Sequence, residues 1–258
     1  MKNKNNHTIP NCLIKNFYLN EKGYTIYKNK KPLKINSVDK NNSANIKGFS
    51  APYYFTEKKD DKIDISGEQR LSIIENQQIE IVRKIIKNKS VNLLDAELAV
   101  LFATIMSLGL RTRNGRKILI KPDNQIPDEL KHEFFEIAKK VKDSSVYYAN
   151  ILCKLHTSFQ KILMDKNKKL LPGEQQKFGL VKKKNAFLLT DEPVYVWHEN
   201  AQNYYVACLA ISKDFVVYYC NRSEHCKKFV RKIIKDSYNK YVAIQAKYTI
   251  LAPREQLI

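Results

Sequence analysis

The sequence predicts an α+β protein: an N-terminal extended or hairpin segment, a central helical bundle, and a C-terminal antiparallel sheet with a closing helix. Three observations predict it. Apolar residues recur at helical spacing in the middle of the chain, short apolar or alternating runs parted by turn residues follow, and a helical pattern returns near the end. Extended pieces, then helices, then strands, then helix is an α+β order, not a series of βα units. The 258 residues read as one domain, 1–258, divided into extended 7–56, helical 66–165, strands 177–221 and helix 224–248.

Each element has its own justification. Ile9 to Leu19 is partly apolar but broken by Pro10 and Asn11. Tyr24–Tyr27 and Leu33–Ile35 are strand-like, with Lys28–Pro32 as a hairpin turn between them, and the polar stretch Asn36–Gly48 predicts a loop. Ala51–Phe55 is aromatic and precedes a loop of mixed charge. Glu68–Asn88 puts Leu71, Ile74, Ile81, Val82 and Ile85 on one helical face. Asp95–Leu110 is a second helix, Asp128–Val141 a third after a Pro122–Pro127 loop, and Val146–Met164 a fourth. Lys177–Lys183, Ala186–Leu189, Val194–Trp197, Tyr204–Ile211 and Phe215–Cys220 predict strands, and Glu224–Tyr248 predicts one or two helices.

Charge narrows the function. Lys+Arg is 46 against Asp+Glu 26, a net charge of +20, which favours nucleic acid, nucleotide or another polyanion. Only eight of the 46 are arginine, and lysine, asparagine and isoleucine abound together, so part of the excess reflects an A- and T-rich coding sequence. The densest basic runs are Lys28–Lys34 and Lys182–Lys184. Five cysteines without regular spacing argue for a reducing compartment. The start of the chain leads to no signal-type apolar stretch, and the longest apolar run, Leu98–Leu110, is too short to cross a bilayer. The expected location is the cytoplasm, with no membrane partner.

The helix from Glu68 carries the most informative pair. At about 100° per residue from Leu71, Glu68 falls near roughly 60° and Glu75 near roughly 40°, inside the apolar arc. A carboxylate facing a core must be paired, protonated or metal-bound. Either Glu75 pairs with an interior arginine, or the helix edge is wet, or the two acids form a site. Arg111, Arg113 and Arg116 close the apolar helix, where cations meet free carbonyls. Arg111, nearest the core, is expected to be buried, with Glu75 as its partner. Thr190-Asp191 at a strand end before a proline reads as an ordinary turn or as a site pair. Cys220, His225 and Cys226 lack the second ligand pair that a closed zinc site needs. The tyrosine pairs at 53–54, 147–148, 204–205 and 218–219 are either base-stacking platforms or strand residues with one ring in and one out. No phosphate-loop, zincin or nucleophile-elbow motif occurs.

Taken in order, these features resemble the bacterial domain of unknown function 4238 family. The matching residues are His7-Thr-Ile-Pro10 leading to Phe17, Tyr24–Tyr27, Pro52–Phe55, Glu68 with Glu75, Leu101–Thr112, the Thr190-Asp191-Glu192-Pro193 stretch and Asn239–Tyr248. Leu189 stands where the family's late motif has a threonine, which removes one hydroxyl. The resemblance marks His7, Glu68, Glu75, Arg111 and Asp191. It implies a metal set of His7, Glu68, Glu75 and Asp191 for Mg²⁺ or Mn²⁺, with Glu75, Asp191 and Arg111 as catalytic groups. On a basic chain this implies a metal-dependent nuclease or phosphodiesterase, a hydrolase suited to a toxin or anti-phage defence role. Arg113, Arg116, Lys182, Lys183 and Lys184 would contact nucleic acid. The alternatives are a non-catalytic nucleic-acid or nucleotide binding module and a protein-interaction effector.

Overall fold

The structure is a computed structural model that describes residues 5–52, 54–59, 62–120, 128–199, 204–222 and 226–257. The expected Pro122–Pro127 loop lies outside the described residues, as do Tyr53 and His225. The α+β class holds, with antiparallel sheets around a helical middle.

The N-terminal segment is less extended than its sequence implies. Strand β1 (Asn5–His7) pairs antiparallel with β4 (Ser50–Pro52), His7 opposite Ser50. Pro10 then opens a short helix, α1 (Asn11–Ile14), followed by a 3-10 turn at Lys15–Phe17. Proline lacks the N–H that a first helical turn leaves unused, and its φ of −55° suits a helix start. Ile9, Leu13, Ile14 and Phe17 all enter the core from this turn. The hairpin falls where expected on its first strand, β2 (Lys22–Tyr27), but β3 is Ile35–Asp39, not Leu33–Ile35. Asn36, Ser37 and Asp39 have poor strand preference, and β3 is an exposed edge held by pairing with β2. A small hairpin, β5 (Glu57–Lys59) and β6 (Lys62–Asp64), occupies the loop of mixed charge.

Five helices follow: α2 (Ser66–Asn88), α3 (Asp95–Arg111), α4 (Arg113–Ile120), α5 (Asp128–Asp143) and α6 (Ser145–Ile162). Helix α3 buries residues on every side and packs on α6, as its apolar sequence predicts. Helix α4 is an addition to the expected set. Thr112 breaks the chain between α3 and α4 and accepts the Gly115 N–H at 3.0 Å on its hydroxyl. A side chain at Gly115 would collide with the Gly109 and Leu110 carbonyls, so glycine here permits a tight turn of helix on helix. Ser144 caps α6 by accepting the Tyr147 N–H.

Two four-stranded sheets complete the fold. In the first, β7 (Phe178–Lys182), β9 (Val194–Glu199), β10 (Tyr204–Ser212) and β11 (Phe215–Cys220) run antiparallel in the order β7-β11-β10-β9. Tyr219 of β11 packs on Phe102 of α3, while Tyr195 of β9 stacks on Tyr241 of α7 (Cys226–Gln245). Helices therefore cover both faces, which is why β10 and β11 read as nearly continuous apolar runs. The second sheet was not legible in the sequence. β8 is only Leu189–Thr190, and it pairs with β12 (Thr249–Ala252), which pairs in turn with β2, giving β3-β2-β12-β8. The closing helix ends at Gln245, not Tyr248, because the chain must straighten to enter β12. No helix among the described residues is long and apolar enough to cross a membrane.

Candidate functional site

Arg111 ends α3 and is buried. Its Nη1 lies 2.5 Å from Glu75 Oε1, and its Nη2 donates to the His7 carbonyl at 2.6 Å. The guanidinium lies over the Phe55 ring at 5.0 Å. One arginine thus pins α2, α3, β1 and the segment before β5 at a single point. The expected Glu75–Arg111 pair is present, and Glu75 keeps about a quarter of its side chain in water (28%).

His7 and Glu68 share this neighbourhood. Burial pushes the His7 imidazole below the ordinary histidine value, and the Arg111 charge adds to that; Glu75 and Glu68 pull it back up. His7 Nδ1 is buried and makes no hydrogen bond. Cys12, in α1, has its thiol pushed up by burial, with Glu75 adding to the effect.

Asp191 has a different task. It accepts the backbone N–H groups of Lys247, Tyr248 and Thr249 at 3.3, 3.1 and 3.0 Å. Those donors belong to the turn after α7 and the start of β12, and one carboxylate satisfies all three. The charges that act on His7 are those of Arg111, Glu75 and Glu68. The adjacent Glu192 does similar work for α4. Its carboxylate accepts the Thr112 hydroxyl at 2.6 Å and the Asn114 N–H at 3.2 Å, and burial raises its pKa. Thr190–Pro193 is a clasp joining α4, α7 and β12. Glu192 was not singled out by sequence reasoning. Its only signal was a second acid squeezed between Asp191 and Pro193.

The donor set does not fit Mg²⁺ or Mn²⁺. Among the described residues no group of three or more His, Cys, Asp or Glu side chains is arranged to hold a metal ion. A guanidinium already takes Glu75, and Asp191 is spent on backbone donors. Of the residues that the resemblance marks for metal, His7, Glu68 and Glu75 therefore lie around Arg111, while Asp191 is held by backbone donors in the clasp.

Arg113 and Arg116 are also spent internally. Arg113 donates to the Ser50 carbonyl at 3.2 Å and lies over the Tyr248 ring. Arg116 donates to the Val141 carbonyl at 2.9 Å between the rings of Tyr54 and Tyr148. A planar fork that also stacks suits such half-buried joints; these two arginines staple the fold. The tyrosines follow the same rule. Tyr54 and Tyr148 donate to the Thr112 and Leu110 carbonyls, and Tyr218 and Tyr219 are both buried because their sheet is covered twice. Cys220 is buried within the sheet and donates to the Arg222 carbonyl.

Lys182, Lys183 and Lys184 are exposed. Lys183 Nζ donates to the Lys235 carbonyl at 3.2 Å, which brings the run against α7. At about 100° per residue, Lys228, Arg231, Lys232 and Lys235 lie within an arc of roughly 100° on that helix, and all four are exposed. The α7 half of this basic surface escaped sequence reasoning, because the four cations are spread over two helical turns and form no run.

The molecule is therefore an α+β protein in which an acid–arginine knot lies apart from an exposed lysine surface. The chain belongs to the family described as protein of unknown function (DUF4238), whose match spans residues 5–252. No curated protein and no solved structure matches the chain.

Proposed function

We propose that this protein is a nucleic-acid-binding module whose affinity comes from Lys182–Lys184 together with the basic flank of α7. One observation carries the reading: two basic segments more than forty residues apart meet through the Lys183–Lys235 hydrogen bond. Codon bias scatters lysines and gives no reason for them to converge on one surface. Exposed lysines release counterions from a phosphate backbone on binding, and that term is independent of sequence. The His7–Glu68–Glu75–Arg111 knot then serves as structure that holds the sheet and helices together.

The test is fluorescence anisotropy with a labelled oligonucleotide, single-stranded and duplex, across a salt series. Binding should weaken steeply between about 50 and about 200 mM salt, and K182Q/K184Q/K232Q should reduce the slope of log K against log salt by roughly one for each phosphate that is no longer neutralised. Absence of binding at about 50 mM salt, where this term is strong, overturns the reading. Cleavage that needs Mn²⁺ or Mg²⁺ and disappears in E75A would restore the nuclease reading in its place.

A further inference from the structure

Helix α7 has a second flank, on the other side of its outer ridge from the lysines. With Phe229 at zero and about 100° per residue, Ile233, Ile244 and Tyr241 follow within roughly 120°. Phe229 is 54% exposed, Ile244 67% and Tyr241 37%, an unusual density of bare apolar side chains on one helix edge. This flank leans over β9, the open edge strand of its sheet, where Trp197 sits 5.9 Å from Phe229, ring centroid to centroid, and Tyr195 stacks on Tyr241 at 4.8 Å. Between helix and strand lies a small cavity of about 20 Å³ lined by Trp197, Tyr195, Ile233 and Tyr241.

We infer that this flank takes the bases of a single-stranded nucleic acid whose phosphates lie on the lysine flank. The inference rests on the binding reading above and adds the substrate class. Charge complementarity selects the occupant. The Phe229 end of this apolar strip is bordered by Lys228 and Lys232, with Asp236 on the ridge beyond them, and a basic edge beside a bare ring suits a ligand with anionic and flat apolar sides in parallel. An unpaired strand has both; a duplex hides its base faces in its own stack. Phe229, tilted at 50° to Trp197, offers an open ring face with a second aromatic beside it.

Trp197 is the one tryptophan in the chain, so its fluorescence reports on the flank directly. Unlabelled oligothymidylate titrated into the full chain should quench it, and a duplex at equal phosphate concentration should quench it far less. F229A removes an exposed ring and leaves the core alone. It should weaken single-strand binding roughly 5- to 100-fold, with the duplex affinity and the salt slope unchanged. If neither oligonucleotide binds, the binding reading fails first. If both bind, F229A changes neither and Trp197 stays bright, the binding reading stands and the stacking inference is overturned. Trp197 emission that changes with protein concentration alone, without oligonucleotide, would assign the flank to a second copy of the chain and equally overturn it.

Discussion

The knot around Arg111 and the flank of α7 use positive charge in opposite ways. At Arg111 the cation is enclosed, its two terminal nitrogens are committed to Glu75 and the His7 carbonyl, and a phenyl face covers it. On α7 the cations stand in water, and the hydrogen bond that gathers them runs from a lysine ammonium to a backbone carbonyl. The first arrangement is costly to disturb, and Arg111 Nε and His7 Nδ1 within it are buried without a hydrogen-bond partner. The second can be disturbed freely and keeps its charge for a partner. Arginine suits the first because its fork holds two acceptors at once; lysine suits the second because its point charge stays hydrated.

The comparison breaks most readily at Arg111. Arg111→Ala strands a carboxylate and a carbonyl, and urea unfolding should show a loss of roughly 3–5 kcal/mol, toward the lower end because Glu75 is partly wet. A nearly unchanged midpoint would mean that the knot is loose and that Arg111 is available to a ligand. Behind the knot, His156 is buried beside the Ser107 hydroxyl at 3.2 Å, and burial holds its pKa down to about 4. The unfolded chain binds this proton near the ordinary 6.5 and the folded chain does not. Stability is therefore lost as pH falls from about 6.5 to about 4, by on the order of 3 kcal/mol in total. The slope of melting temperature against pH in that window should flatten in His156→Gln.

Asp191→Asn should cost about 2 kcal/mol, since a charged acceptor of three N–H groups becomes a neutral one with a single oxygen. The same variant sharpens the comparison. Asp191 belongs to the clasp, so the His7 titration followed by NMR should not move; a shift would place Asp191 in the knot after all. The smallest effect is expected on the other surface. K182Q/K184Q/K232Q should change stability by less than about 0.5 kcal/mol while changing the salt dependence of oligonucleotide binding.

The α+β order, the long helices and the covered sheet were legible because burial imposes a period on the sequence. The pair Glu75–Arg111 was legible too, since an acid inside an apolar arc needs a partner and a sparingly used arginine ended the next helix. What could not be read was pairing across long separations. β12, just past the expected helix, went unread because nothing near Thr249 reveals that β2 and β8 lie on either side of it. β3 was hidden by Asn, Ser and Asp on an exposed edge. Asp191 could be read two ways because a carboxylate that satisfies backbone donors has the same local sequence as one that serves chemistry. The lysines of α7 were invisible as a group until the helix was wound.

β12 joins β2 and β8, two strands that the ribosome makes more than 150 residues apart. β2 is complete early and hydrogen-bonds Tyr27 to Thr249 in register, so one of its edges stays open through almost the whole of synthesis. The nascent chain must carry an unpaired strand edge past the six described helices α2 to α7 and another sheet, and closure of the second sheet is a late event of high contact order. Isoleucine and tyrosine on that waiting edge invite pairing with a neighbouring chain. Lys22 and Lys28, at either end of β2, are well placed to discourage it.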